Sequence, residues 1–249
     1  MSIANNLAEV RDRIAESARR AGRQASDVTL VAVSKTFGAN RVREAWLAGQ
    51  RDFGENKVQE GLQKIADTAD IPARWHLIGH LQSNKAKKAA ATFTCIQSVD
   101  SVELLQRLDD AAAARTDGSA PLDVLVQVDF AGEATKFGAP PDEAVRSVRA
   151  GLDARHIRLA GLMLLPPWSD DPEATRPWFA RLREFRDHLV EEGVPASALR
   201  HLSMGMSHDY QAAVEEGSTI VRVGTAIFGA RLAPQLVSDS ATDSKPKGQ

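Results

Sequence analysis

Lys35 is the residue of this chain whose setting most strongly suggests chemistry. It ends an apolar run, Val28 to Lys35, whose β-branched residues predict a strand buried on both faces. An ammonium in such a place must be paired, hydrated in a cleft or used covalently, because an unpaired buried charge is costly. Desolvation frees the amine of a lysine to attack carbonyl groups. Two hypotheses follow: a lysine that emerges to solvent where the strand ends, or a covalent site for a carbonyl compound.

Two later segments contain the parts of a phosphate cradle. They are Ser203 to Ser207, which reads Ser-Met-Gly-Met-Ser, and Arg222 to Thr225, which reads Arg-Val-Gly-Thr. Glycines let the backbone approach an anion, hydroxyls donate hydrogen bonds, and free backbone N–H groups point at it. Each segment also has a simpler interpretation. Ser207 could cap a helix after a plain turn, and Arg222 could be a salt-bridged core arginine.

The elements that must position these residues alternate between short apolar runs and helical patterns. Eight strands, each followed by a helix or turn, predict a single (β/α)8 TIM-type barrel with an extra N-terminal helix over Ile3–Ala21. The alternative is an open doubly wound sheet, but the turn after the first strand lacks the glycine-rich pattern of that fold. The predicted strands are Leu30–Ser34, Asp52–Gly54, Trp75–Gly79, Thr94–Val99, Val124–Phe130, Ile157–Leu164, Arg200–Ser203 and Thr219–Val223. The predicted helices between them are Asn40–Ala48, Lys57–Ala69, Asn84–Ala91, Val102–Ala114, Asp142–Leu152, Glu173–Glu191 and Asp209–Glu215.

A barrel of this kind brings the candidate residues to one face. Lys35 ends the first strand, Asn56 follows the second, and the two cradle segments follow the seventh and eighth. The carboxyl ends of barrel strands form the active face, and phosphate often sits after strands seven and eight. Because strands one and eight are neighbours, an amine and a phosphate cradle would lie side by side. An aldehyde that bears a phosphate satisfies both features, and pyridoxal 5′-phosphate (PLP) is the obvious candidate.

Composition narrows the function classes. The chain has 249 residues, 43% hydrophobic residues and a net charge of −2, which gives no argument for binding nucleic acid. A single cysteine fits a reducing cytosol, and no apolar stretch approaches the ~20 residues needed to cross a bilayer. The histidines show no metal-binding spacing. We therefore expect a cytoplasmic protein with no metal, no membrane and no nucleic-acid partner. Residues 1–236 are expected to form the domain, and residues 237–249 a disordered tail.

Several motifs, in order along the chain, resemble the YggS/PROSC family of PLP homeostasis proteins. The match runs from the first helix to about Arg231. The motifs are Ala32-Val33-Ser34-Lys35-Thr36, Phe53-Gly54-Glu55-Asn56-Lys57-Val58-Gln59-Glu60, Trp75-His76-Leu77-Ile78-Gly79-His80-Leu81-Gln82-Ser83-Asn84-Lys85, Gly161-Leu162-Met163, Leu202-Ser203-Met204-Gly205-Met206-Ser207 and Val221-Arg222-Val223-Gly224-Thr225-Ala226-Ile227-Phe228-Gly229-Ala230-Arg231.

The resemblance implies a barrel like the N-terminal domain of alanine racemase, with PLP held on Lys35 as a Schiff base. It also implies which residues hold the phosphate: Ser203, Gly224 and Thr225, with support from the amide of Gly205.

For the cofactor ring, the resemblance implies that Arg222 faces the pyridine nitrogen. A cationic guanidinium there disfavours a protonated nitrogen, so the ring is a weaker electron sink than with an acidic partner. Asn56 is expected near the ring, and Met163 is expected to pack against it. His76 either points into the site or is a satisfied core histidine, and the second is favoured. Lys136 could engage PLP during transfer, although a structural ion pair is the simpler role.

The family role is a PLP carrier or buffer that delivers cofactor to apo-enzymes and affects amino- and keto-acid balance. The first alternative is a weak racemase or lyase. A racemase needs a second base, and we expect no second domain here and a packing role for the only tyrosine, Tyr210. The second alternative is a protein that docks onto PLP enzymes through Lys85, Lys87 and Lys88, for which a solvated helix face is the simpler interpretation. A barrel with one cofactor could act as a monomer.

Overall fold

Eight parallel strands close into a barrel in which each strand pairs with the next in sequence and β8 pairs with β1. The computed structural model describes residues 2–115, 120–132 and 137–229. The predicted (β/α)8 barrel is confirmed. The strands are β1 (Thr29–Val33), β2 (Asp52–Glu55), β3 (Arg74–Leu77), β4 (Cys95–Val99), β5 (Leu122–Val128), β6 (Ile157–Leu164), β7 (His201–Met206) and β8 (Ile220–Val223).

Helices surround the barrel and follow the strands in the expected order. A 3-10 turn, Pro172–Thr175, precedes α7 and takes the first part of the helix predicted there. The α-helices are α1 (Ile3–Arg20), α2 (Ala39–Leu47), α3 (Val58–Asp67), α4 (Ala86–Thr92), α5 (Val102–Ala112), α6 (Pro141–Leu152), α7 (Arg176–Glu191), α8 (Tyr210–Glu215) and α9 (Thr225–Phe228).

The extra N-terminal helix α1 forms because its apolar residues recur at helical spacing. Ile3, Leu7, Val10 and Ile14 are all buried on one face. The side chain of Ser2 caps the helix by accepting a hydrogen bond from the backbone N–H of Asn5. α1 packs against α2, α8 and α9, and so covers the outside of the barrel where β8 meets β1.

Strand residues alternate between the barrel interior and the surrounding helices. On β1, Leu30 and Ala32 pack outward in the main core, whereas Val31 lies in a small interior cluster. The alternation follows from the two-residue period of a strand, and it decides which side chains can reach the mouth of the barrel. The rest of the interior cluster is Cys95, Leu125, Ala160, Met163 and Ile220.

Among the eight strands only β6 has the predicted boundaries, and the others differ by one to three residues at one or both ends, with β5 and β7 shifted the most. β5 begins at Leu122 and ends at Val128, two residues earlier than predicted at each end, and β7 runs on to Met206 instead of ending at Ser203. The predicted turn at residues 117–118, Lys136 and the boundary at residue 236 with the tail after it lie outside the described residues. None of the described helices is both long enough and apolar enough to cross a membrane.

Candidate functional site

A cavity of about 420 Å³ opens at the carboxyl ends of the strands. Five of the eight predicted site residues line it: Lys35, Asn56, Arg222, Gly224 and Thr225. These residues come from the ends of β1, β2 and β8, so barrel closure brings together residues that lie far apart in the sequence. The remaining lining residues are Val33, Ile78, Leu165, Trp168, Met206, Ser207 and His208.

Lys35 sits in a tight turn directly after β1. The N–H of Phe37 donates to the carbonyl of Ser34 at 3.0 Å, which closes the turn around Lys35 and Thr36. Thr36 has a φ of 69°, a left-handed conformation that costs free energy in a β-branched residue. Ser34 points out toward the helices while Lys35 enters the cavity and is half-buried. The alternation along β1 therefore aims the lysine at the mouth of the barrel.

Arg222 forms the floor of the cavity. Its side chain is only 3% exposed, and it donates to Ser203 Oγ at 2.5 Å and to the carbonyl of Leu164 at 2.8 Å. Burial lowers the pKa of Arg222 to about 10. This value is still well above neutral pH, so the guanidinium remains charged. Its hydrogen-bond acceptors are a hydroxyl and a carbonyl, and no carboxylate of the described residues forms a salt bridge with it, so the alternative of a salt-bridged core arginine does not hold there. A buried cation held by neutral groups suits an electron-rich ligand atom.

A chain of hydrogen bonds runs from Arg222 down through the barrel. Ser203 donates from Oγ to Gln97 Oε1 at 2.6 Å, and the amide of Gln97 lies 3.0 Å from His76 Nδ1. His76 Nε2 lies 3.0 Å from Asp52 Oδ1 near the opposite end. If the Gln97 amide donates, Nε2 carries the imidazole proton toward Asp52. His76 is therefore a satisfied interior histidine, as the sequence analysis favoured.

The predicted position of Ser203 after strand seven is wrong. Ser203 lies within β7, has no exposed surface, and points into the barrel beneath Arg222. Strand seven was predicted to end at Ser203, with the stretch up to Ser207 as the loop that follows it. Gly205 instead has a φ of 91° inside the strand, where a Cβ atom would lie 2.5 Å from the Cβ of Ala213 on α8. The close approach of α8 and the positive φ explain this glycine.

Met163 lies deeper in the barrel than the cavity. It is fully buried in the interior cluster below the mouth and does not line the cavity. Ser203 and Gly205 do not line it either. These three are the predicted site residues that the fold does not bring to the cavity wall.

Ser207 takes the place that the sequence analysis gave to Ser203. It follows β7 directly, lines the cavity, and accepts a hydrogen bond on Oγ from the N–H of Gly224 at 3.0 Å. It does not cap α8, whose N-cap residue is Asp209. The signal was present in the Ser-Met-Gly-Met-Ser stretch, but the strand end was placed three residues too early. Trp168, on the loop after β6, is a second lining residue that the sequence analysis missed.

Asn56 is held at the cavity wall by a close backbone contact. A Cβ atom at Gly79 would lie 2.2 Å from the carbonyl oxygen of Asn56, so only glycine fits beside it. The side-chain oxygen of Asn56 is buried and has no hydrogen-bond partner among the described residues. Such a group normally finds a partner, so this oxygen could accept a hydrogen bond from a donor group of a ligand.

The described part of the chain contains neither a cluster of metal ligands nor a tyrosine at the cavity. No cluster of three or more potential metal ligands occurs there. The only tyrosine, Tyr210, is buried on α8 outside the cavity lining, where burial raises its pKa and Arg13 opposes that shift. The expected packing role of Tyr210 agrees with this position.

Comparison with known proteins gives consistent matches over almost the whole barrel. Residues 6–232 match the family described as "Alanine racemase, N-terminal domain". A "Pyridoxal phosphate homeostasis protein" from Pseudomonas aeruginosa is 46% identical over 230 residues, which is 92% of this chain and 96% of that protein. A protein of the same name from Aquifex aeolicus is 39% identical over 231 residues, covering 93% of this chain and 99% of that protein.

A solved structure has the same fold and a bound cofactor. It is the PipY protein of Synechococcus elongatus with PLP bound, which is 39% identical and superimposes with a TM-score of 0.80. The match covers 92% of this chain and 100% of that one.

Proposed function

Because the chain belongs to the alanine racemase N-terminal domain family, together with relatives named PLP homeostasis proteins, we propose that it binds PLP as a Schiff base on Lys35. The observation that carries the proposal is the single cavity in which Lys35, Arg222 and the segments after β7 and β8 meet. An amine for the aldehyde, a cation for the ring and a cradle for the phosphate are the groups that PLP needs. The volume of the cavity also falls in the range of small-molecule binding sites.

The residues present fit the cofactor. Ser207, Gly224 and Thr225 would hold the phosphate, since their loops follow β7 and β8, the usual phosphate position in this fold. Arg222 would face the ring nitrogen, and the unpartnered side-chain oxygen of Asn56 would accept a hydrogen bond from a donor group of the cofactor. When bound, PLP supplies an electrophilic aldehyde and an electron-accepting ring.

We further propose that the protein carries or buffers PLP in the cytoplasm, with apo-forms of PLP enzymes as its partners. Two features support a carrier over a racemase or lyase. The cationic Arg222 would keep the ring nitrogen unprotonated, which weakens the ring as an electron sink. Tyr210 lies outside the cavity, so within the described residues no tyrosine stands opposite Lys35 as a second base.

The proposal is tested by the absorbance spectrum of the purified protein with PLP, before and after borohydride, followed by mass mapping. We expect a band near about 420 nm that reduction removes, and a pyridoxyl mass on Lys35. Lys35→Ala should lose both. Lys57→Ala, which removes an exposed lysine of the Asn56 loop, should keep both. A label on another lysine in the wild type would defeat the assignment.

The carrier role is tested separately. PLP-loaded protein is mixed with an apo-enzyme and a trapping agent for free PLP, and the return of enzyme activity is followed. Transfer that persists in the presence of the trap supports a carrier. Amino-acid racemisation or cleavage that Lys35→Ala abolishes would favour the enzymatic alternative.

A further inference from the structure

The turn that presents Lys35 needs external support. Thr36 holds a φ of 69°, and a β-branched residue keeps such a conformation only where the surroundings over-determine it. The two peptide groups next to Lys35, through the carbonyl of Ser34 and the N–H of Thr36, both receive contacts from charged side chains on α3.

We call Glu55, Glu60 and Lys64 the α3 clamp. Lys64 and Glu60, on α3, contact the two peptide groups, and Glu55, at the end of β2, contacts Lys64 and the hydroxyl of Ser34. Lys64 Nζ donates to the carbonyl of Ser34 at 2.7 Å and to Glu55 Oε1 at 2.5 Å. Glu60 Oε1 accepts from the N–H of Thr36 at 2.5 Å and lies 3.2 Å from Lys64 Nζ. The clamp therefore forms hydrogen bonds with the backbone on both sides of Lys35.

Two of the three clamp side chains are buried, and only Glu60 reaches the surface. The side chains of Lys64 and Glu55 are 5% and 0% exposed, and that of Glu60 is 30% exposed. Ser34 Oγ donates to the same oxygen of Glu55 at 2.5 Å, whereas Glu55 Oε2 has no partner in the part of the chain described. Burial raises the pKa of Glu55, and Lys64 and Ser34 oppose that shift. A buried ion pair gives weak net stability, so specification of one geometry is the better-supported role.

Charge keeps the exposed end of the clamp ionised. Burial works against ionisation of Glu60, but the N–H of Thr36 and the charge of Lys64 outweigh it and lower its pKa. A carboxylate on a backbone N–H forms a strong, short hydrogen bond. The Thr36 peptide is thus held by a charged acceptor at neutral pH.

We propose that the α3 clamp positions Lys35, by fixing the Ser34 and Thr36 peptides so that the lysine side chain enters the cavity along one direction. This inference rests on the proposed function, because it assigns to Glu55, Glu60 and Lys64 the positioning of the PLP-binding amine. They act through the backbone, not by touching the cofactor. A small misplacement of a reacting group weakens its reaction strongly, which gives the clamp a functional consequence.

The first test uses Glu60→Ala, with Glu60→Gln as the conservative variant. The control is Glu103→Ala, which removes the acid of another i,i+4 pair, with Arg107 on α5. Amide hydrogen exchange at Thr36 is measured in cofactor-free protein. The PLP dissociation constant is measured by titration, followed by absorbance at about 420 nm. Glu60→Ala should speed the exchange of Thr36 and weaken PLP binding about tenfold. Glu60→Gln keeps an acceptor oxygen and should restore most of both. Glu103→Ala should change neither.

A second variant separates positioning from general stability. Lys64→Met removes the ammonium from the Ser34 carbonyl, and Leu108→Ala on α5 is a buried substitution remote from the cavity. At temperatures where both variants are fully folded, Lys64→Met should slow Schiff-base formation with PLP and alter the circular dichroism of the bound chromophore. Leu108→Ala should behave as wild type in both measurements.

The proposed positioning role of the α3 clamp is wrong if Glu60→Ala leaves Thr36 exchange and PLP binding at wild-type values. It is also wrong if Leu108→Ala reproduces the spectral change of Lys64→Met. Failure of the proposed function looks different. In that case wild-type protein carries no PLP on Lys35, which also removes the positioning role, whatever the exchange of Thr36 shows.

Discussion

The charged side chains that face the barrel interior are held in different ways at its two ends, whereas the α3 clamp lies outside that interior. At the amino-terminal end, charges pair with each other: Asp52 accepts from Arg74 at 2.7 Å and faces His76, and Asp123 accepts from Arg158 at 2.9 Å. At the carboxyl-terminal mouth, the buried Arg222 is held by a hydroxyl and a carbonyl. The cavity at the mouth also contains the unpartnered amide oxygen of Asn56.

This difference separates stability from binding. Paired charges at the amino-terminal end have their hydrogen-bonding capacity used within the fold, so a ligand has little to gain there. Polar groups at the mouth keep hydrogen-bonding capacity that a ligand can use. This agrees with the usual arrangement of (β/α)8 barrels, in which the carboxyl-terminal face binds ligands and the amino-terminal face contributes stability. The chain from Asp52 through His76, Gln97 and Ser203 to Arg222 joins the two ends.

The largest expected effect on stability comes from Asp52→Ala at the amino-terminal end. It leaves the buried imidazole of His76 without its acceptor, so we expect a loss of about 2–3 kcal/mol in the free energy of unfolding. The contribution of Arg74 is small because its side chain is 61% exposed. Urea unfolding measures the loss. The PLP dissociation constant should change less than about threefold. A stable variant with lost PLP binding would remove the distinction between the two ends.

Arg222→Met should have the opposite profile. The variant removes a buried charge whose desolvation offsets its hydrogen bonds, but it also takes a donor from Ser203 Oγ and from the carbonyl of Leu164, so we expect a loss of about 1–2 kcal/mol in the free energy of unfolding. PLP binding should weaken about tenfold or more, because the ring loses its charged partner. The matched control is Arg158→Met at the other end, where PLP binding should be unchanged. Equal effects of the two variants on PLP binding would contradict the comparison.

A smaller effect concerns the pH dependence of stability and His201 at the start of β7. Burial, and then the charge of Arg200, lower the pKa of His201 to about 4. In the unfolded chain the imidazole has its ordinary pKa of 6.5 and binds a proton first, so this residue reduces stability as pH falls from about 6.5 to about 4. His201→Gln should flatten the curve of unfolding free energy over that range. A curve parallel to wild type would show that His201 does not titrate in this way.

The smallest effect is expected from the basic cluster beside the mouth. Lys85, Lys87 and Lys88 are all exposed, Lys85 in a short 3-10 turn and the other two on α4. Lys87→Ala should change the free energy of unfolding by less than about 0.5 kcal/mol and leave PLP binding unaltered. Slower PLP transfer to an apo-enzyme, with binding unchanged, would support the docking interpretation over a solvated face.

Much of the fold was predictable from residue patterns. The apolar spacing of α1 predicted the extra helix, and the short β-branched runs predicted the number and order of the strands. Both patterns, with periods of 3.6 and 2 residues, are local properties of the sequence. Lys35, Asn56, Arg222, Gly224 and Thr225 were placed correctly at the mouth, since each follows or ends a strand in a recognisable motif.

The errors arose where a contact between distant residues overrides the local signal. Gly205 looks like a turn residue, but α8 packs so closely against β7 that glycine is required within the strand. The longer strand turned Ser203 inward beneath Arg222 and left Ser207 at the cavity. Met163 lies in the interior cluster below the cavity, next to a register irregularity between β5 and β6 that breaks the simple alternation along β6.

The sequence by itself determined the barrel, the strand order and the motifs that end at the mouth, because these depend on periodicity and local backbone preference. Only the tertiary structure decided which side chains share the cavity, which support them from beneath, and which grip the turn at Lys35. Lys64 and Ser34 are 30 positions apart, and their contact exists only because α3 packs beside β1 and β2. Contacts of this kind depend on how elements pack, which local sequence does not specify.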